Sequence, residues 1–128
     1  VVPTPLTRVL DTRNGTGTGG KVAHLGANQS LVLRIAGRNG VPATGATAAE
    51  LNVTVTNDAA GGYISAYPDG VARPNASTLN FAPHQIVANA SITTLGTDGA
   101  IRLYNHSNAP VDLVIDQTGY FYAYPGLS

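Results

Sequence analysis

The stretch "AELNVTVTND", Ala49 to Asp58, carries the reading of the fold, because its apolar and polar side chains alternate one for one. Leu51, Val53 and Val55 fall on one set of positions, and Asn52, Thr54 and Thr56 on the other. A helix groups residues three and four apart, whereas a strand groups residues two apart, so this period predicts a half-buried strand with its apolar side against a core. The β-branched content points the same way, since Val and Thr pack well on a pleated surface.

The alternation returns on both sides of this segment. "SLVLRIAG" sets Leu31, Leu33 and Ile35 against Val32 and Arg34, and "GYISAYPDG", "STLNFAP", "QIVANASITTL", "AIRLYNHS", "VDLVIDQT" and "GYFYAYP" repeat the pattern to Pro125. Turn formers separate the runs at Asn39-Gly40, Pro68-Asp69-Gly70, Asp98-Gly99 and Asn108-Ala109-Pro110. Only "VPATGATAAEL", Val41 to Leu51, suggests a helix, and Gly45 interrupts it. Eight to ten short strands with no substantial helix predict an all-β fold, an antiparallel β-sandwich of jelly-roll type. The length of 128 residues fits a single domain spanning 1–128.

Three Asn residues stand inside apolar runs, Asn52, Asn80 and Asn89. Asn is a poor strand former, so each predicts either a side chain that bonds nearby backbone or a polar binding surface.

Composition narrows the function. The charged fraction is 11%, less than half the usual value of about 25%, which leaves Thr, Ser, Asn and Gly to cover the surface. Such a surface is expected of an extracellular module. Seven basic and seven acidic residues cancel, and Lys21 is the sole lysine, so nucleic acid is not an expected partner. There is no cysteine to form a disulfide, a thiolate nucleophile or a cysteine zinc site. No apolar run approaches the roughly 18 residues of a membrane span, so no membrane insertion is expected. The start "VVPTP" lacks the features of a signal peptide and reads as the beginning of a mature or excised domain.

Catalytic constellations are missing. His24, His84 and His106 stand in or beside loops with no nucleophile elbow, and Asp112 and Asp116 read as strand-end carboxylates. Asp58 and Asp69 sit singly in turns, short of the oxygen count that calcium needs, so no metal or cofactor is expected. "NGTGTGG", Asn14 to Gly20, lacks a phosphate-binding pattern and reads as a flexible connection.

Tyrosines form the notable surface. Tyr63, Ser65 and Tyr67 alternate with Ile64 and Ala66, Arg102 and Tyr104 with Ile101 and Leu103, and Tyr120, Tyr122 and Tyr124 flank Phe121. An aromatic face bordered by amides, hydroxyls and Arg suits a sugar ring, and it equally suits a protein interface. The expected ligand-binding residues are Tyr63, Tyr67, Arg102, Tyr104 and Asn105.

"TRVLDTRNGTG", "AGRNGVPATGATAAELNVTVTN", "GYISAYPDGVARPNASTLNF" and "GAIRLYNHSNAPVDLVIDQTGYFY" together resemble a domain found in secreted actinobacterial proteins, where it serves as an accessory or tandem module. The resemblance covers nearly the whole chain and implies a secreted, non-catalytic β-domain without transferring a defined ligand. Two readings are open. One is a module that attaches its parent to a glycan or cell-wall polysaccharide, and the other a structural module that packs against tandem copies, neighbouring domains or itself. The residues shared with that pattern include Asp11, Arg13, Arg73 and Asp116, and chain ends tend to lie together. These four are therefore expected to form a partly buried structural clasp where "RVLDTR" meets "VIDQTGYFY".

Overall fold

The computed structural model describes residues 1–124, so residues 125–128 of the expected domain, Pro125 included, lie outside the described part. Eight strands succeed one another: β1 (Val2–Asp11), β2 (Ser30–Arg34), β3 (Ala46–Thr56), β4 (Gly62–Pro68), β5 (Leu79–Phe81), β6 (Val87–Thr94), β7 (Ala100–His106) and β8 (Asp112–Tyr122). They form two four-stranded antiparallel sheets, ordered β1-β8-β3-β6 and β2-β7-β4-β5. The two layers make a β-sandwich, and this strand order is compatible with a jelly roll. No described residue is helical, and the segment that suggested a helix becomes β3 from Ala46 onward.

The core comes from the alternation. Leu51, Val53 and Val55 of β3 are buried together with Leu33 and Ile35, Ile64, Ile101 and Leu103, and Leu113 and Ile115. Each such side chain contributes about 1.5–3 kcal/mol on leaving water. The polar alternates Asn52, Thr54 and Thr56 of β3 remain half-buried on the outer side.

One tyrosine stripe departs from the expected phase. Between β3 and β8 the register slips at Glu50/Leu51, leaving Thr118 unpaired, with its Oγ1 donating to Glu50 Oε1 at 2.8 Å. An extra residue in one strand reverses the facing of the residues beyond it. Tyr120 consequently packs against the core instead of pointing outward. Tyr122 and Tyr124 stay together, their rings 5.0 Å apart edge to face.

The glycine-rich segment is closed rather than loose. Asp11 N donates to Thr16 O, Gly15 N to Asp11 O, Gly20 N to Gly15 O and Ala23 N to Thr12 O. Gly15 has φ of 93°, and a Cβ there would stand 2.3 Å from Gly20 C, so glycine is required by both conformation and space.

Candidate functional site

The outer face of the β2-β7-β4-β5 sheet gathers the aromatic and cationic side chains. In β7, Ile101, Leu103 and Asn105 turn inward, so Arg102, Tyr104 and His106 turn outward. In β4, Ile64 and Ala66 pack toward the core, and Tyr63, Ser65 and Tyr67 take the other side. Register sets Tyr63 opposite His106, Ser65 opposite Tyr104 and Tyr67 opposite Arg102. Across the other neighbours, Ser30 faces Tyr104, Val32 faces Arg102 and Asn80 faces Tyr63. Directly opposed residues share a sheet face, so one surface carries all of them.

The rings form a continuous ladder. Tyr63 stacks on His106 with centroids 4.1 Å apart and planes 16° from parallel. Tyr104 meets the same imidazole at 4.4 Å with a 53° tilt. The exposed Arg73, from the segment between β4 and β5, lays its guanidinium 4.0 Å from the Tyr104 ring centre. Burial, reinforced by the Arg73 charge, pushes the His106 imidazole below its ordinary pKa. His106 Nε2 is buried without a hydrogen-bond partner among the described residues.

Arg102 is fixed beside this ladder. Its Nε donates to Asp69 Oδ1 at 2.9 Å and its Nη1 to Ser30 Oγ at 2.7 Å. Hydrogen bonding with Asp98, and then with Arg102, holds the Asp69 carboxyl below its usual range. The outcome is a half-buried aromatic strip bordered by two guanidinium groups, a carboxylate, a hydroxyl and the exposed Asn80.

Four of the five expected binding residues thus stand on one face, and three of them, Tyr63, Arg102 and Tyr104, are only half-buried there. The other two are corrected. Tyr67 shares the face but is 5% exposed, at the end of β4 where the next segment returns over the sheet. That return is pinned by Ser65 Oγ donating to Ala76 O and by Ala66 N donating to Thr78 Oγ1. Asn105 has no exposed surface. Its Nδ2 donates to Leu25 O, Gly26 O and Ala109 O, and its Oδ1 accepts from Ser107 Oγ at 2.7 Å. Every polar group of that amide is used in tying the end of β7 to two loops.

His106 and Arg73 are additions to the expected ligand residues. His106 was legible, because the alternation that turns Ile101 and Leu103 inward also turns Asn105 inward and the next residue outward. Arg73 lies 31 residues from Tyr104 in the chain and no local pattern connects them.

Arg73 is also a correction to the clasp, since it belongs to this face and not to the β1–β8 junction. There, Asp11 is 1% exposed and accepts from Arg13 through two parallel bonds, Nε to Oδ1 and Nη2 to Oδ2, both 2.9 Å. The place expected for Arg73 is taken by Arg8, whose Nη1 lies 3.7 Å from Asp11 Oδ2 and whose Nε donates to Asp116 Oδ1 at 3.1 Å. The Arg13 hydrogen bonds hold the Asp11 carboxyl below its ordinary value. Asp11, Arg13 and Asp116 therefore do form a clasp, completed by Arg8.

A second buried carboxylate closes the neighbouring end of the sheet. Asp112 accepts from Thr12 Oγ1 at 2.7 Å and from Asn57 Nδ2 at 2.8 Å, with His24 Nδ1 2.6 Å from Oδ1. Burial alone would raise its pKa, and these three partners outweigh it and lower the value. This is a strand-end lock of the kind expected for Asp112. The mid-strand Asn residues behave differently from it: Asn80 and Asn89 are exposed and Asn52 is half-buried. Among them, Asn89 Nδ2 donates to Thr78 O at 3.0 Å.

Among the described residues no group of three or more His, Asp or Glu side chains is arranged to hold a metal ion. Comparison of the chain with family models, curated proteins and solved structures finds no match.

Proposed function

We propose that this chain is a secreted, non-catalytic binding module that holds a glycan, such as a cell-wall or other polysaccharide, on the outer face of the β2-β7-β4-β5 sheet. The observation that carries this reading is the Tyr63–His106–Tyr104–Arg73 ladder beside the Arg102–Asp69 pair. A pyranose has an apolar C–H side and a rim of hydroxyl groups. Tyr63 and Tyr104 offer ring surface to the first, while Arg73, Arg102, Asp69 and Asn80 offer donors and acceptors to the second.

Arg73 has a particular part. Its guanidinium covers Tyr104, in the position where a sugar ring would stack. The side chain is exposed, so it can lift from the ring and turn its five N–H donors to ligand hydroxyls. The low charge of the surface suits a neutral or weakly charged polymer, and the resemblance to secreted accessory modules supports an extracellular setting.

Affinity electrophoresis tests the reading. The protein is run through native gels containing soluble polysaccharides, and retardation in at least one is expected. Tyr104→Ala should reduce that retardation by roughly tenfold in apparent affinity, the loss of one well-placed stacking contact. Migration unaffected by any polysaccharide, or retardation unchanged in Tyr104→Ala, overturns the proposal.

A further inference from the structure

The two sheets have four edges, and three of them are interrupted or short. β1 carries Pro3 and Pro5, and its register with β8 is interrupted twice, between Pro3 and Thr7 and between Arg8 and Leu10. Proline cannot donate to a ladder, and bulges twist an edge away from a newcomer. β2 and β5 are short, with five and three residues.

β6 has none of these defences. It runs eight residues as "VANASITT", with no proline, no charge and an unbroken register to β3 from Ala48↔Thr94 to Val55↔Val87. Among the described residues its other side pairs with no strand and receives no backbone–backbone hydrogen bond, its one tie to the neighbouring sheet being the side-chain bond from Asn89 Nδ2 to Thr78 O. Ile86, just before the strand, and Ile92, within it, are 73% and 64% exposed. Beside it, Ala90, Ser91 and Ile92 line a mainly apolar groove of about 540 Å³ with Glu50, Asn52 and Thr118.

We propose that β6 is a self-association edge, pairing antiparallel with β6 of a second copy across a two-fold axis to make one continuous eight-stranded sheet. The second copy is the occupant because the strand is complementary to itself. With the axis at Ala90, every residue faces one from the same side of the sheet: Ala88 meets Ile92 of the second copy, Asn89 meets Ser91, and Val87 meets Thr93. On the outer side small Ala88 faces large Ile92, on the inner side polar Asn89 faces Ser91 and β-branched Val87 faces Thr93, and the strand carries no charge to be opposed. This edge belongs to the sheet opposite the aromatic ladder, so the inference does not depend on the glycan reading.

Sedimentation velocity over a wide concentration range, from low micromolar to near millimolar, tests it. A reversible monomer–dimer equilibrium is expected, and Ala90→Lys, which opposes two ammonium groups at the axis, should weaken it by roughly tenfold. Because the chain has no cysteine, Ala90→Cys provides a second readout. Opposed Cβ atoms in an antiparallel pair lie about 4.5–5.5 Å apart, so mild oxidation should link Ala90→Cys as a dimer and leave the loop variant Lys21→Cys largely unlinked. A monomer at every concentration with no preferential Ala90→Cys linkage overturns the proposal. So does a dimer that Ala90→Lys leaves intact, or a monomer whose β6 amides become protected from exchange only when an extended foreign peptide is added.

Discussion

Tyr63 and His106, opposed across β4 and β7, lie with their rings 4.1 Å apart and nearly parallel, and the imidazole is enclosed further by Tyr104. A protonated imidazole there would give up hydration and sit near the Arg73 charge, so the neutral form is favoured in the folded protein. The unfolded chain then binds more protons than the folded one in the interval between the lowered folded pKa and the ordinary value of about 6.5. Stability contributed by His106 is complete above that interval and is lost as pH falls through it. The expected result is a urea midpoint that declines on acidification from pH 7, with His106→Phe, which retains a stacking ring, reducing the decline. An unchanged slope in His106→Phe would contradict the assignment.

The Asp11–Arg13 fork concerns stability and not recognition. Removing Arg13 leaves a buried carboxylate with only Arg8 and two local donors nearby, and the expected cost of Arg13→Ala is about 1–3 kcal/mol. Denaturant unfolding measures the loss, and glycan binding at the folded state should be unaltered. Arg13 itself is half-exposed, so solvent screening keeps the value below that of a fully buried ion pair.

The same fork predicts an acid limit. The Asp11 carboxyl, and Asp112 with it, titrate below the ordinary carboxylate range in the folded state. Stability from both is present above the unfolded value of about 3.9 and disappears as pH falls through the lower folded values. Loss of stability on acidification, followed from roughly pH 5 to roughly pH 2, should be steeper for the parent than for Asp11→Asn.

Asn105, expected among the ligand residues, is better tested as a lock. Asn105→Ala leaves Leu25 O, Gly26 O, Ala109 O and Ser107 Oγ without their shared partner, at an expected cost of about 2–3 kcal/mol. Thermal melting should drop clearly for Asn105→Ala. Tyr104→Ala, by comparison, should lose binding with much less change in melting.

The sandwich was legible because burial on one side of a strand writes a period of two directly into the chain. Leu51, Val53 and Val55 are buried as that period requires. Tyr120 escaped it because the bulge at Thr118 changes phase, and the one local mark of the slip, Gly119 inside the strand, signals a bulge or a close backbone approach without saying which. Asp11 and Arg13 were readable as a pair since residues two apart in an extended chain point the same way. Arg8 in place of Arg73 was not, because which cation approaches Asp116 depends on strand register. Within the site, the rings on β4 and β7 come from alternation, whereas Arg73 reaches Tyr104 only through the turn at Pro68 to Gly70. Tyr67 shows the converse: its facing was readable, and its covering by a later segment was not.

Binding of a glycan to the ladder face is tested by two-dimensional amide NMR of the labelled protein, titrated with a polysaccharide that retards it in native gels. Shifts are expected to concentrate at Tyr63, Arg73, Arg102, Tyr104 and His106, with the β6 edge and the Asp11–Arg13 fork unmoved. Shifts concentrated elsewhere, such as along β3 and β6 or at Tyr122 and Tyr124, with the ladder residues unmoved, would contradict it.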